Sequence, residues 1–461
     1  MSDALATSRA YRAIWRWHFY AGLIVAPFLL ILSVTGAIYL FNDELNAALS
    51  PHLYRVAPHA KSAPPSRMVE AALHVHPGTV TRIDLPERTD RSAIVFITPP
   101  NGEPVRVAVD PGSVRVLGSF VYVRTLVGFA DTMHGSLMMG TTGELIVELA
   151  ACWALVLIAT GLYLWWPRGS RRFGGVLFPR LRARGRLFWR DLHATTGVWG
   201  IALIAFLLLT GLPWALVQGE VMQRGAGALG LGYPAAHRTY SVPNSPTMKG
   251  ALGEAAWTME KAPMPASKSH AAPGHAGHAP ASGGTDHTAV AGLDAIAAKL
   301  AREHGLAGGY RLFPPTDPTG VYTAYSYPDR PQGQRTLYFD RYSHDLIGEV
   351  GFADYGAVAK AIELGVQLHM GNYFGLANQL VMLVTCVAII MLVVSGVVMW
   401  WRRRPQGTLA APPRVPHARI VGAMVMLTVA GVLFPLLGAS LIVVAAIEWI
   451  VGVVARRPSP A

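Results

Sequence analysis

The sequence predicts a mainly α-helical membrane protein with a smaller α+β share, and three features predict it. Of its 461 residues, 52% are hydrophobic and only 14% are charged, where a soluble protein of this size carries about a quarter. Apolar runs long enough to cross a bilayer recur near 19–41, 144–166, 194–216 and 378–401, at a helical rise of about 1.5 Å per residue. Two long polar connections between them, about 42–125 and 217–360, contain the alternating stretches of half-buried strands.

The elements follow in order. Residues 1–41 hold basic residues and then a first span, with no convincing small-residue cleavage site after it, so it is read as retained. Residues 42–125 form a first outer domain, with "RMVEAALHV" as a helix and "SAIVFITPP" and "VRVAVD" as strands. Residues 126–166 give a surface-lying helix, broken by glycines, and a second span. A link at 167–193 and a third span at 194–216 follow. The second outer domain, 217–360, repeats the pattern with "GLDAIAAKLAREHG", "GVYTAYSYP" and "RTLYFD". Residues 361–401 give another surface-lying helix and a fourth span, 402–418 a basic link, and 419–461 a last apolar stretch. That stretch is too long for one span, so "FPLLGAS" is read as the turn of a helical hairpin; one long helix kinked at Pro435 is the alternative.

Charge sets the orientation. Arg9, Arg12 and Arg16, the seven arginines of "PRGSRRFGGVLFPRLRARGR", "WWRRRP" and "ARRPSPA" all flank spans on one side. The positive-inside rule makes that side cytoplasmic and both long connections periplasmic, in a bacterial inner membrane. The net charge of +12 therefore reports topology and excludes a nucleic-acid partner. The two cysteines, Cys152 and Cys386, both sit in apolar runs. They exclude a disulfide framework, cysteine-ligated zinc, four-thiolate iron–sulfur clusters and covalent haem attachment.

Internal spacing implies a duplication. His18 is followed by Gly22 and Thr35-Gly36, and His193 by Gly197 and Thr210-Gly211, at the same offsets. His134 precedes Thr160-Gly161 and Trp165-Trp166 as His369 precedes Ser395-Gly396 and Trp400-Trp401. "VDPGSVRVLG" is echoed by "FDRYSHDLIG". The unit is span, outer domain, span, and two parallel copies imply a pseudo-two-fold axis along the membrane normal.

Such an axis brings His18 to face His193 near the cytoplasmic surface, and His134 to face His369 near the outer one. Two imidazoles converging between helices are the arrangement of a bis-histidine haem b, so the four spans are expected to form a haem-binding bundle with two haems. Intramembrane ionisable groups are functional suspects because burying them is costly. Gly22 and Gly197 leave room for a porphyrin; Thr-Gly and Ser-Gly also permit close helix packing without any cofactor. Asp131, Glu144, Glu148, Asp191 and Glu363 are read as lying at span ends, which leaves no carboxylate chain for proton pumping.

These residues carry a family resemblance. "WRWHFYAGLIVAPFLLILSVTG", "DLHATTGVWGIALIAFLLLTG", "MHGSLMMG…ATGLYLWWPR" and "LHMGNYFG…VSGVVMWWRR" resemble the PepSY-associated transmembrane family, and "VRVAVDPGSVRVLG" the end of a PepSY module. The resemblance covers roughly 10–405. It implies an inner-membrane protein of iron uptake, a di-haem reductase of ferric siderophores in the periplasm, with His18, His193, His134 and His369 as haem ligands. Its partners would be membrane lipid, a quinol or cytoplasmic electron donor, and a ferric-siderophore or other metal complex.

One further motif stands apart. "SHAAPGHAGHAPASGGTDH", inside an insert at about 262–290, is low-complexity. His270, His275, His278 and His287 either collect a metal such as copper or zinc or are solvated linker residues. Two other functions stay open: a peptide- or protease-binding module with structural histidines, and a metal transporter. The latter lacks a polar track along any span.

Overall fold

The computed structural model describes residues 2–454 apart from 101, 168–173, 235–236, 238–239, 243–244, 254, 269–285 and 406–420. The chain divides into a helical unit, formed by Met1–Leu40, Asp131–Met222 and Gln379–Ala461, and a sheet-bearing unit, formed by Phe41–Ala130 and Gln223–Asn378.

In the helical unit four helices are long and apolar enough to cross a membrane: Arg9–Tyr39, Gly140–Trp165, Arg186–Trp214 and Leu376–Arg403. Each holds a long apolar stretch with at most two charged side chains. The first three meet at Val25, Ala150 and Ala154, with Leu157 and Leu208 packed alongside; alanines at the contact let the backbones approach.

The last apolar stretch is two helices, Val421–Leu433 and Pro435–Val454. The break falls at Phe434 because Pro435 has no N–H to continue the first helix and is well placed to start the second. Gly431 and Gly438 touch here: a Cβ on Gly438 would lie 2.5 Å from the Gly431 carbonyl oxygen. The pair packs Leu427 and Leu437 onto Cys152 and Val156 of the second span, and Trp153 Nε1 donates to Ser440 Oγ at 3.1 Å.

Three of the acidic residues read as lying at span ends are buried: Glu148, Asp191 and Glu363. Glu148 is only 2% exposed within Gly140–Trp165. It accepts from the backbone N–H groups of Val217 and Gln218 at 2.8 and 3.0 Å, satisfying the first turn of helix Leu216–Ala228. Asp191 is fully buried and pairs with Arg180 at 2.6 Å and Arg190 at 2.8 Å.

The sheet-bearing unit corrects the expectation of two small separate α+β domains. Strands β1 (Thr79–Leu85), β2 (Ala93–Thr98), β3 (Val105–Val109) and β4 (Val116–Phe120) come from the first outer segment. Strands β5 (Tyr310–Phe313), β6 (Tyr322–Ser326), β7 (Arg335–Phe339) and β8 (Leu346–Gly351) come from the second. They join into one eight-stranded sheet in the order β4-β3-β2-β1-β5-β6-β7-β8. The seam is antiparallel, with Ile83 opposite Leu312 and Asp84 opposite Arg311. Helices Pro65–Val75 and His287–Glu303 cover one face, and both halves share one apolar core, including Met68, Ile83, Val95, Leu293, Leu312 and Leu337.

The echoed motifs build the same turn twice. The Asp110 amide donates to Arg115 O and the Asp340 amide to Asp345 O, both at 2.9 Å. Each aspartate carboxylate then accepts from backbone amides two residues on, at Gly112 and Tyr342, an Asx turn. Val114 and His344 take the left-handed conformation, at φ 62° and 60°.

Candidate functional site: a histidine pair over an apolar cavity

His18 and His193 stand in the helical unit with ring centres 6.4 Å apart and planes at 89°. Each is held by the span that follows it in the chain. His18 Nδ1 lies 2.9 Å from Thr160 Oγ1. His193 Nδ1 lies 3.0 Å from both the Leu392 carbonyl oxygen and Ser395 Oγ. The hydroxyls fix the proton. Thr160 Oγ1 donates to Val156 O at 2.7 Å, and Ser395 Oγ to Met391 O at 2.6 Å, so each oxygen is left to accept. Both imidazoles therefore carry hydrogen on Nδ1 and a lone pair on Nε2, the tautomer a metal ligand needs.

A glycine follows each hydroxyl residue, and the ring edge packs beside it, most closely at Gly161. A Cβ on Gly161 would come within 3.3 Å of His18 Cε1, and one on Gly396 within 3.6 Å of His193 Cε1. The Thr-Gly and Ser-Gly pairs, read from sequence only as packing devices, thus set the tautomer and clearance of the histidines. The signal was present: the same offset separates His134 from Thr160 and His369 from Ser395.

Both rings line a cavity of about 310 Å³, with walls from all four spans that include Gly22, Leu157, Gly197, Ile201, Ile389 and Val393. Its mouth carries Trp15, Trp400, Arg186 and Arg403. A volume in the range of ligand sites, mostly apolar and with a few convergent polar groups, is the form of a cofactor pocket.

The pair fits an iron porphyrin. With metal–imidazole bonds of about 2 Å and about 1.1 Å from each bonding nitrogen to its ring centre, two opposed imidazoles would have their centres roughly 6.2 Å apart. Among the described residues no group of three or more His, Cys, Asp or Glu converges. Two imidazoles alone make a poor cage for a bare ion, whereas a porphyrin brings four nitrogens of its own.

His134 has the same kind of surroundings. It lies on helix Leu126–Ser136, with Nδ1 3.2 Å from Thr35 Oγ1 and the Leu32 carbonyl in reach. Thr35 Oγ1 donates to Ile31 O at 2.8 Å, and a Cβ on Gly36 would lie 3.1 Å from His134 Cε1. His134 belongs to the helical unit; His369 belongs to the sheet-bearing unit, where it ends helix Ala357–His369. Of the loop histidines, His270, His275 and His278 lie outside the described residues, and His287 opens helix His287–Glu303 behind the capping Asp286.

The family model described as the PepSY-associated TM region matches residues 15–403. No curated protein matches the chain.

Proposed function

Because the chain belongs to the PepSY-associated TM region family, we propose that it is a di-haem b oxidoreductase that carries electrons across the bacterial inner membrane. The observation that carries this reading is the His18–His193 pair, 6.4 Å apart and lining an apolar cavity. A haem bound there supplies one-electron transfer between its ferric and ferrous states.

The chain's own residues do the rest. Thr160, Ser395 and the Leu392 carbonyl hold the Nδ1 protons, so both Nε2 atoms stay free to bind iron. Leucine, isoleucine and valine walls exclude water, which limits reorganisation around a changing charge. His134, set against Thr35 and Gly36 in the same manner, is the proposed ligand of a second haem. The equivalent surroundings of His18, His193 and His134 support an internal duplication.

The arginine-flanked ends would be cytoplasmic and the sheet-bearing unit periplasmic. The final acceptor is then a periplasmic ferric siderophore or related metal complex, and the donor a quinol or a cytoplasmic reductant. Reduction frees the iron because hard oxygen ligands hold Fe(II) less tightly than Fe(III).

The test is the spectrum of the purified full chain, oxidised and then dithionite-reduced. The expected result is a b-type Soret and α-band pair corresponding to two haems per chain. A colourless protein overturns the reading in favour of a peptide- or receptor-binding module. Metal flux into proteoliposomes without an electron donor would instead favour a transporter.

A further inference from the structure

Residues 174–185 lie between the second and third spans and form a strap folded onto the helices. The Gly175 amide donates to Phe178 O at 2.7 Å, and the Ala183 amide to Arg180 O at 2.9 Å. Two indoles tie the strap to the spans: Trp165 Nε1 donates to Val176 O and Trp199 Nε1 to Leu177 O, each at 2.8 Å. Arg180 reaches Asp191 of the third span at 2.6 Å. Trp199 stands roughly 20 Å along that span from Arg186, at about 1.5 Å per residue, and a helical side chain leans back toward the N-terminus. The strap therefore lies against the flank of a membrane-crossing helix, below its arginine-bearing end. Carbonyls at that depth need donors from the protein, and the two indoles supply them.

The strap carries exposed apolar groups and then free charge. Phe178 lies 6.4 Å from Trp199, centre to centre, yet the two rings are 60% and 66% exposed. Leu181 is 78% exposed. Arg182 and Arg184 follow, and both are exposed. The single acid among residues 174–191 is Asp191, which is taken by Arg180 and Arg190 at 2.6 and 2.8 Å. Among the described residues no acid pairs with Arg182 or Arg184. Apolar side chains exposed on the flank of a span meet acyl chains, and arginines at its end meet headgroups.

We propose that this strap holds an anionic phospholipid, with an acyl chain against Phe178, Leu181 and Trp199 and the phosphate at Arg182 and Arg184. Guanidinium forks match phosphate oxygens. A zwitterionic headgroup suits the site less, because it brings its own cation to two arginines with no acid nearby to receive it. The bound lipid pins the strap and, through the Arg180–Asp191 pair, braces the end of the span that carries His193. The inference needs only that the spans cross a bilayer; it does not depend on the haem reading above.

The experiment titrates the full-length protein, in a neutral detergent, with phosphatidylglycerol or with phosphatidylcholine of the same acyl chains. Native mass spectrometry follows the tightest-bound lipid. Each arginine near an anionic headgroup is worth about fivefold in affinity, so phosphatidylglycerol is expected to bind about 25-fold tighter. Arg182→Gln or Arg184→Gln should each narrow the preference about fivefold, and the double variant should lose it. Changing both to Lys should keep most of it, and Arg67→Gln, an exposed arginine of the sheet-bearing unit, all of it. Phe178→Ala should weaken both lipids alike and leave their ratio unchanged. Phosphatidylglycerol with a photoreactive acyl chain should label residues 174–185 or the third span near Trp199. Equal affinity for the two lipids, an unchanged preference in the double variant, or labelling confined to other segments overturns the proposal. Displacement of the lipid by millimolar glycerol 1-phosphate also overturns it, by showing a site for free phosphate.

Discussion

Two buried polar clusters, one in each unit, are built in opposite ways. In the helical unit His18 and His193 are each held from one side, through Nδ1, and both line a cavity. In the sheet-bearing unit Glu363, fully buried, is held from every side. It accepts from Thr258 N at 3.2 Å, Thr258 Oγ1 at 3.1 Å, Tyr327 OH at 3.3 Å and Gln334 Nε2 at 3.1 Å. Burial nevertheless pushes the Glu363 carboxyl above its usual range, against those donors. The contrast separates architecture from site. A buried group satisfied on all sides locks a fold, whereas one satisfied on a single side, beside space, keeps its other polar atom available.

Substitutions on each side of this contrast break it in different currencies. The largest effect is expected from His193→Ala. On the proposed di-haem reading, haem content measured as the pyridine haemochromogen should fall from two per chain to one, with the fold retained by circular dichroism. Unchanged haem content would end the comparison. Glu363→Ala removes the acceptor of four donor groups and should cost about 3 kcal/mol in chemical unfolding of the full chain in detergent. The haem spectrum of the folded protein should not move. A spectral change without a loss of stability would reverse the assignment of the two roles.

A pH effect of similar size comes from His237, fully buried between Tyr240 and Tyr338. Burial lowers its pKa to about 4 from the usual 6.5. Below 6.5 the unfolded chain takes up a proton that the folded chain refuses, so stability should fall as pH drops toward 4, by up to about 3 kcal/mol. Unfolding midpoints across this window should show the slope, and His237→Phe should flatten it; equal slopes in both proteins would refute the assignment. The smallest effect is Thr160→Val, which removes the hydroxyl beside His18 Nδ1 and should weaken haem binding about tenfold. Thr160→Ser should restore it. Indifference of haem affinity to both changes would show that the hydroxyl only packs.

The spans were legible because hydropathy is a local property: the run read at 378–401 is the helix Leu376–Arg403. The equivalence of His18 and His193 was legible as well, because spacing survives in a one-dimensional string. Partner choice was not. Alternation in "SAIVFITPP" marks the two faces of β2 but says nothing about which edge meets which, so the β1–β5 seam was invisible. The surroundings of Glu363 were hidden for a related reason. Its donors lie at Thr258, Tyr327 and Gln334, and no periodicity connects positions that far apart. Thr160 was visible but underread, since a threonine beside a glycine has an adequate packing explanation until a ring is seen against it.

The seam also has a consequence in time. Ile83 must wait for Leu312, made about 230 residues later, and ribosomes add about 5–20 residues each second. For roughly ten to fifty seconds the newborn first half exposes an open strand edge and half an oily interior, a template for wrong pairing. Biogenesis of this protein therefore calls for a holding chaperone during that interval, and a chain severed between the halves would be prone to clump.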